Sequence, residues 1–238
     1  RGAVKMHTLL DLRGNIPTFI HISDGTWHDS NVMDYIQFES NAVYTMDKAY
    51  VDLTALNKMD SIGAYFVTRA KSVMRYRIIE TMDTNEDGIL ADQLVMLTGH
   101  KSSRLYPKPL RIVQYRDAET NEELTFISNN MDISALDIAN IYRNRWQIEV
   151  FFKWIKQNMT VKRMWGYSEN AVRIHLWTAI ISYLLMAKIK ANLQTEYSIT
   201  EVARILGVSA LAKTPIRELL AKDQPTIENQ NVKELKLF

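Results

Sequence analysis

The chain has 238 residues, of which 47% are apolar and 24% are charged, and its formal net charge at pH 7 is +2. This composition is typical of a folded protein with one large or two small domains, and it excludes an intrinsically disordered chain. The lack of cysteine excludes disulfides, iron–sulfur clusters and cysteine-based zinc sites, so we expect a cytoplasmic protein.

The first seventy residues alternate between strand-like and helix-like segments. Two β-rich runs, 4–12 and 16–23, flank turn-forming residues and predict an antiparallel hairpin. The chain then passes through a segment of helical spacing, a short strand that ends before Asp47, a helix and another strand. The predicted ranges of these four elements are 29–38, 43–46, 50–59 and 64–68.

The middle of the chain, residues 72–130, is predicted to be all β. Its β-type runs alternate with turn-rich stretches and cover 73–79, 94–98, 110–115 and 124–128. From Ser134, a favourable helix N-cap, the chain is predicted to be helical, with helices at 135–157, 169–195, 199–206 and 214–221. The apolar run 176–187 is too short to span a bilayer, so it predicts a buried core helix and no membrane association.

This order of elements suits an α/β domain of the RNase H-like type. A strand that ends in one acid and a later helix that carries a second acid are separated by the β-rich segment. We expect the RNase H-like core in residues 1–71 and 131–222, an all-β insertion at 72–130, a C-terminal helical region and a tail at 223–238.

The most specific pattern is Y-x2-R-x3-E-x6-K, formed by Tyr142, Arg145, Glu149 and Lys156. On a single helix, at about 100° per residue, these side chains point within about 60° of one another. A carboxylate set among cations and a phenol is the arrangement needed to hold a divalent metal ion beside a phosphodiester. Arg145 and Glu149 at i,i+4 also suit an ordinary surface ion pair.

The full pattern resembles the signature of the DDE transposases of bacterial insertion sequences, in the family usually called IS-four. The resemblance covers essentially the whole chain, with further matches at 129–130, 166, 168–172 and 213–215. It implies an RNase H-like fold whose first strand, with the first catalytic acid, lies before Arg1. We therefore expect a C-terminal fragment that lacks one catalytic carboxylate and is inactive alone.

The resemblance implies that Asp47 and Glu149 are the second and third catalytic acids. Together they would hold Mg²⁺ or Mn²⁺, with two ions in the complete enzyme. Tyr142, Arg145 and Lys156 would contact phosphates at the transposon end. From the residues alone, Asp47 also suits a helix cap and Tyr142 a core aromatic. The family more often has Arg-Gly where this chain has Lys-Ala after Asp47.

Further DNA contacts are expected on the same segment. Trp146 and Trp154 suit stacking on an unpaired base, or core packing. Lys153 belongs to a stretch, 142–173, with seven basic and two acidic residues, which suits phosphate neutralisation or a solvated face. Residues 201–209 resemble a helix-turn-helix with a tight bend, and they also match a C-terminal helical segment of the family.

These observations predict cut-and-paste DNA transposition. The resemblance implies that the protein binds terminal inverted repeats, cleaves them by metal-assisted hydrolysis and joins the freed 3′ hydroxyl to target DNA. It also implies a hairpin intermediate, a homodimer in the synaptic complex and a nucleoid-associated location in the bacterial cytoplasm. Two alternatives remain open: a non-catalytic DNA-binding remnant, and a metal-dependent nuclease of the same fold.

Overall fold

A computed structural model describes residues 3–158, 166, 168–211 and 213–220. The chain divides into two compact units, residues 1–153 and 154–238. The strands are β1 (Val4–Asp11), β2 (Ile16–Asp24), β3 (Val43–Met46), β4 (Tyr65–Arg69), β5 (Tyr76–Met82), β6 (Ile89–Leu97), β7 (Leu110–Arg116) and β8 (Glu123–Ser128). The helices are α1 (Leu53–Ser61), α2 (Ser102–Leu105), α3 (Ala135–Arg143), α4 (Trp146–Asn158), α5 (Glu169–Leu193), α6 (Ile199–Val208) and α7 (Ile216–Leu219), with 3-10 helices at Asp29–Asp34 and Lys48–Tyr50.

The described strands form two sheets. β1 and β2 pair in an antiparallel hairpin, as predicted, and the remaining strands form a six-stranded sheet in the order β3-β4-β8-β7-β6-β5. In the larger sheet β3 and β4 are parallel, while the other pairs are antiparallel. The outer pair, β5 and β6, has a register shift between Ile78 and Glu80. The fold is therefore mixed α/β with a mixed sheet.

Two apolar cores cover the two faces of the six-stranded sheet. Successive residues of a strand point to opposite faces. Phe66 and Ile112 accordingly pack with α1 in one core, and Val67 and Val113 pack with α3 in the other. Both helices start at a side-chain N-cap, Asp52 for α1 and Ser134 for α3. The β-rich segment thus belongs to the same sheet as β3 and β4. Its status as an insertion, the RNase H-like identification and the boundaries at 71/72, 130/131 and 222/223 stay predictions.

Most predicted elements are present within a few residues of their expected bounds. The segment 29–38 forms a six-residue 3-10 helix instead of an α-helix. The prediction of one helix over 135–157 is wrong, because the chain leaves the α-helix after Arg143 and starts α4 at Trp146. The predicted tail at 223–238 lies outside the described residues.

In the second unit, α5 is 25 residues long and, by length and composition, could cross a membrane. Its most apolar stretch has a mean hydropathy of 1.3 and is 22% buried. The prediction that this segment is too short to span a bilayer is therefore wrong, because the helix extends beyond the apolar run 176–187. The prediction of a buried core helix is correct for one face only. The buried residues are Ala179, Ile180, Tyr183 and Ala187, and the exposed large apolar residues are Ile174, Trp177, Ile181 and Leu185.

Helix α6 tests the helix-turn-helix prediction for residues 201–209. Ser198 and Glu201 form a capping box at its start. The helix then continues to Val208, so Gly207 lies inside it. The tight bend expected from Gly207 and Val208 is absent from this described helix, and that prediction is wrong. A capping box and an amphipathic pattern favour an uninterrupted helix over the intrinsic weakness of one glycine.

A buried ion pair joins two strands of the large sheet to the chain that leads into α3. The Arg111 side chain on β7 and the Asp92 side chain on β6 are 5% and 4% exposed, with Nη2 to Oδ2 at 2.6 Å. A second bond, from Nε to Oδ1 at 2.8 Å, makes the pair bidentate. Arg111 Nη1 also donates to the carbonyls of Asn130 and Ile133. The guanidinium thus fixes the segment that leads into α3.

Removing one partner of this pair should strongly destabilise the protein. We expect Asp92→Leu to lower the free energy of unfolding by roughly 3–5 kcal/mol, because it leaves the Arg111 cation buried without a counter-charge. The double variant Asp92→Leu/Arg111→Met should recover much of that loss. Urea-induced unfolding measures both.

The matched control is Glu123→Gln, which breaks the Arg116–Glu123 pair on the neighbouring β7–β8 ladder. Those side chains are 50% and 61% exposed, so we expect a change within about 0.5 kcal/mol. Equal effects of Asp92→Leu and Glu123→Gln would contradict the structural role assigned to the buried pair.

Candidate functional site

Asp47 lies at the end of β3 and at the start of the 3-10 helix Lys48–Tyr50. Its Oδ1 accepts a hydrogen bond from the Ala49 amide at 2.9 Å, so it is a helix cap as its sequence context suggested. The preceding carbonyl, that of Met46, accepts from the Thr68 hydroxyl on β4 at 2.9 Å. Within the described part of the chain, Oδ2 of Asp47 has no hydrogen bond. One carboxylate oxygen is thus used to fix the side chain and the other is available.

The Y-R-E-K segment crosses a helix break. Tyr142 is the penultimate residue of α3, Arg145 lies in the turn between the two helices, and Glu149 lies in the first turn of α4. The turn is made of i,i+3 bonds: the amides of Arg145 and Ile148 donate to the carbonyls of Tyr142 and Arg145 at 3.0 and 3.2 Å. The prediction that the four residues lie along one helix is therefore wrong. Arg145 nevertheless contacts both Tyr142 and Glu149.

Arg145 is the centre of this cluster. Its Nη2 is 2.8 Å from Glu149 Oε1, and its guanidinium carbon is 5.5 Å from the centre of the Tyr142 ring. Burial alone would lower the pKa of Arg145, but the hydrogen bond to Glu149 and the nearby Tyr142 and Asp47 outweigh it and raise that pKa. Glu149 is thus the direct partner of the guanidinium, and the charge of Asp47 adds a smaller contribution in the same direction.

One donor of Arg145 has no protein acceptor. Its Nε is buried and has no hydrogen-bond partner within the described ranges. An unpaired buried donor is unfavourable by about 1–3 kcal/mol, more for a charged group. An anionic oxygen from a ligand would satisfy this donor.

Tyr142 is a core residue. Its side chain is 8% exposed and packs against Phe126 of β8, with the ring centres 4.9 Å apart. Burial raises the pKa of Tyr142, which keeps the phenol protonated at neutral pH. The core alternative is thus confirmed, and a contact of its hydroxyl with a phosphate stays a prediction.

The other predicted contacts lie along α4. Trp146 is 50% exposed and Trp154 is 6% exposed, so core packing is confirmed for Trp154 and wrong for Trp146. Trp154 packs edge-on against Tyr183 at 5.0 Å within the second unit. Lys153 and Lys156 are exposed. Lys156 belongs to the second unit, and its contact with a phosphate stays a prediction.

A basic cleft of about 710 Å³ adjoins Asp47. Its charged lining residues are three cations, Lys48, Arg69 and Lys71, and one acid, Glu123, and Tyr76 of β5 and Gln114 of β7 line it as well. Arg69 pairs with Glu122 at 2.9 Å, and Lys71 donates to the carbonyl of Val51 at 2.8 Å. Arg69 also contributes to the electrostatic field at Tyr142.

The sequence prediction missed the cations of this cleft. The signal that could have found them is the spacing of Arg69 and Lys71 at the carboxyl end of β4. Met46 pairs with Thr68 in the parallel β3–β4 ladder, so Asp47 and Arg69 leave the sheet at the same edge. Parallel neighbours with polar residues just beyond their carboxyl ends commonly mark a binding site.

The donor set of this site suits magnesium or manganese. Both ions prefer oxygen ligands, and Mg²⁺ is commonly held by one or two carboxylates together with substrate phosphates. Asp47 and Glu149 each have one carboxylate oxygen without a hydrogen bond from the residues described. No cluster of three or more acidic, histidine or cysteine side chains that could hold a metal ion occurs in the described ranges. Asp47 and Glu149 could therefore each supply one of the oxygen ligands that such an ion would use.

Comparison with known proteins gives one family. The sequence profile of the family described as Transposase DDE domain matches residues 1–185. A putative transposase of Sinorhizobium fredii is 34% identical over 188 residues, which are 77% of this chain and 52% of that protein. A probable transposase for an insertion sequence element of Geobacillus stearothermophilus is 29% identical over 189 residues, 78% of this chain and 49% of that protein.

A third relative, a putative transposase for an insertion sequence element of Synechocystis, is 27% identical over 190 residues, 77% of this chain and 52% of that protein. The chain spans about half the length of the curated relatives it matches. Because the family profile covers more than half of the chain, the protein belongs to the family of transposases with a DDE domain. The resemblance found from the Y-R-E-K residues is confirmed.

Replacing the candidate acid on α4 should leave the fold intact. We expect Glu149→Gln to change the free energy of unfolding by about 0.5 kcal/mol or less, because its side chain is 64% exposed and its pair with Arg145 is an i,i+4 surface pair. Urea-induced unfolding followed by circular dichroism measures this. A loss above about 1.5 kcal/mol would show that Glu149 is structural.

Proposed function

We propose that this chain carries the second and third acids, Asp47 and Glu149, of the active site of a DNA transposase. The observation that supports this most strongly is that the Arg145 guanidinium pairs with Glu149 at 2.8 Å, while its buried Nε has no hydrogen-bond partner among the described residues. A cation beside a metal-binding carboxylate would bind a phosphate and limit the repulsion that the phosphate meets from the acids. The basic cleft beside Asp47 extends this positive surface.

The cations have distinct roles in this proposal. Arg145 presents a planar group whose Nε is still available, which suits a phosphate oxygen at the reacting strand. Lys48, Arg69 and Lys153 neutralise phosphates on either side of the one that Arg145 binds. The lysines act as point charges, and Arg69 can donate two parallel hydrogen bonds. Tyr142 holds Arg145 in place through its ring. Lys156 would join these contacts at the other end of α4.

The acids would hold the metal ions. Bound Mg²⁺ or Mn²⁺, two ions in the complete enzyme, would activate the attacking oxygen and stabilise the leaving oxygen. Asp47 is aimed by its bond to the Ala49 amide, and Glu149 by its bond to Arg145. Each side chain thus has one oxygen used for orientation and one oxygen for the ion.

The substrate in this proposal is double-stranded DNA, namely terminal inverted repeats and then target DNA. The reaction is cut-and-paste transposition through a hairpin intermediate in a synaptic homodimer. Trp146 supports the hairpin step, because its half-exposed ring next to Arg145 suits stacking on an unpaired base. We further propose that the complete protein has an RNase H-like fold and acts in the bacterial cytoplasm on the nucleoid, without a membrane.

A metal-dependent nuclease that uses the same acids is the second candidate. The same observation favours it, because the Asp47–Arg145–Glu149 arrangement suits phosphodiester hydrolysis whether or not strand transfer follows. Strand-transfer products on a target plasmid would establish the transposase, and cleaved ends without joined products would establish the nuclease.

Both acids should be required for cleavage. In the full-length protein encoded by the native gene, we expect Asp47→Asn and Glu149→Gln each to lower Mg²⁺-dependent nicking at transposon ends at least about 100-fold, because each removes a charged metal ligand. DNA binding should be retained. Nicking of end-labelled inverted-repeat DNA measures the rate, and gel shift measures binding.

Glu169→Gln is the matched control for Glu149→Gln. Its side chain is also 64% exposed and also pairs with an arginine four residues away, Arg173. We expect normal nicking from this variant. Undiminished nicking by Glu149→Gln would overturn the assignment. The non-catalytic remnant would be indicated if the unchanged protein bound DNA but gave no nicking across a Mg²⁺ titration.

The basic cleft should contribute to DNA affinity through counterion release. We expect Lys48→Gln to reduce the slope of log affinity against log salt by about 1, because it removes one phosphate contact. Lys108→Gln is the control, because Lys108 pairs with Asp60 and lines a different cleft. Fluorescence anisotropy with duplex DNA at several salt concentrations measures the slope. Equal slopes for the two variants would contradict a role for the cleft.

A further inference from the structure

His7 is a buried titratable residue to which the proposed function gives no role. It lies in the middle of β1, opposite His21 of β2, and is 2% exposed. Its Nε2 is 2.9 Å from the Ser23 hydroxyl, and its Nδ1 is 3.3 Å from the Tyr50 hydroxyl. Both ring nitrogens are therefore engaged, and the imidazole joins the β1–β2 hairpin to the 3-10 helix that Asp47 caps.

The direction of these hydrogen bonds follows from their partners. The Ser23 hydroxyl donates to the carbonyl of Asp24, so it accepts from Nε2–H of His7. Nδ1 is then the acceptor, and the Tyr50 hydroxyl donates to it. Burial lowers the pKa of His7, which agrees with a neutral ring. Burial and the nearby Asp29 and Asp47 raise the pKa of Tyr50, which keeps its hydroxyl a donor.

Tyr50 is part of the turn that orients Asp47. The amide of Tyr50 donates to the carbonyl of Asp47 at 3.0 Å, and the amide of Val51 donates to the carbonyl of Lys48 at 3.3 Å. A 3-10 helix of three residues has weak hydrogen-bond geometry and little stability of its own. It therefore depends on contacts with the rest of the fold. At its end Tyr50 and Val51 pack against the apolar core beside α1. The side-chain hydrogen bonds there come from the His7 ring and the ammonium group of Lys71.

We infer that His7 and Tyr50 are positioning residues for Asp47. The hydrogen bonds that link Ser23, His7 and Tyr50 hold the 3-10 helix in place. The 3-10 helix in turn orients the Asp47 carboxylate through the amide of Ala49. Neither residue touches the reacting atoms. The catalytic consequence rests on the proposed function, whereas the effect on the turn can be measured without it.

The first test is hydrogen exchange of the Ala49 amide in the 238-residue chain, monitored by ¹H–¹⁵N NMR. Tyr50→Phe removes the hydroxyl and keeps the ring. We expect it to speed exchange of the Ala49 amide about tenfold, because the turn opens more often when its anchor is lost. His7→Gln should have the same effect, and the double variant should add little to either change.

Tyr35→Phe is the matched control. Its ring stacks on His21 at 5.0 Å in the same aromatic cluster, and the side chain is 58% exposed, so the variant removes a hydroxyl that is not part of the path to Asp47. We expect unchanged exchange at Ala49. Unchanged exchange in Tyr50→Phe as well would overturn the inference, whatever the effect of His7→Gln on folding.

The second test is Mn²⁺ binding, measured by electron paramagnetic resonance on the same variants. We expect Tyr50→Phe to weaken binding about tenfold with an unchanged melting temperature, as outer partners of metal ligands commonly do. Asp47→Asn separates the two claims. If Asp47→Asn does not weaken Mn²⁺ binding, the proposed function fails, and the Ala49 exchange alone decides the positioning role. If Asp47→Asn weakens binding and Tyr50→Phe does not, the inference fails and the proposed function stands.

Discussion

The parallel pairing of β3 with β4 is the constraint on which the candidate site depends. It places Met46 beside Thr68, so that the chain leaves both strands at one edge with Asp47 next to Arg69. β4 in turn pairs with β8, and Phe126 of β8 supports Tyr142 of α3 on one face of the sheet. An acid, a cation and the start of the Y-R-E-K segment are therefore held by consecutive backbone ladders instead of by loops alone.

The break between α3 and α4 gives the site its second property. An i,i+3 turn advances about 120° per residue, compared with about 100° in an α-helix. The turn at 144–148 therefore rotates the helix after Tyr142, which can pack in the core while Trp146 becomes half exposed. Arg145 lies within the turn and reaches both neighbours, the buried ring and the exposed Glu149. On one continuous helix Tyr142 and Trp146 would point within about 40° of each other, which favours similar burial of the two side chains.

The sequence predicted much of the fold, because its signals are local. β-rich runs with turn residues between them gave the hairpin and β7, and Ser134 gave the start of α3. The break at Asn144 was not predictable, since no proline or glycine marks it and the residues after it are compatible with a helix. The different burial of Trp146 and Trp154 follows from that break. The cleft cations and the His7–Tyr50 contact depend on the pairing of distant strands, which composition and spacing do not specify.

β5, one of the two edge strands of the large sheet, carries features that disfavour the addition of another strand. β5 exposes Ile78 and Ile79, and an edge strand with two adjacent apolar side chains is the kind of segment on which other chains add as further strands. The register shift between Ile78 and Glu80 falls in this stretch. A bulge there increases the local twist and interrupts the row of backbone donors and acceptors, while Arg77 and Glu80 place charges on either side. These features disfavour the addition of a further strand at β5.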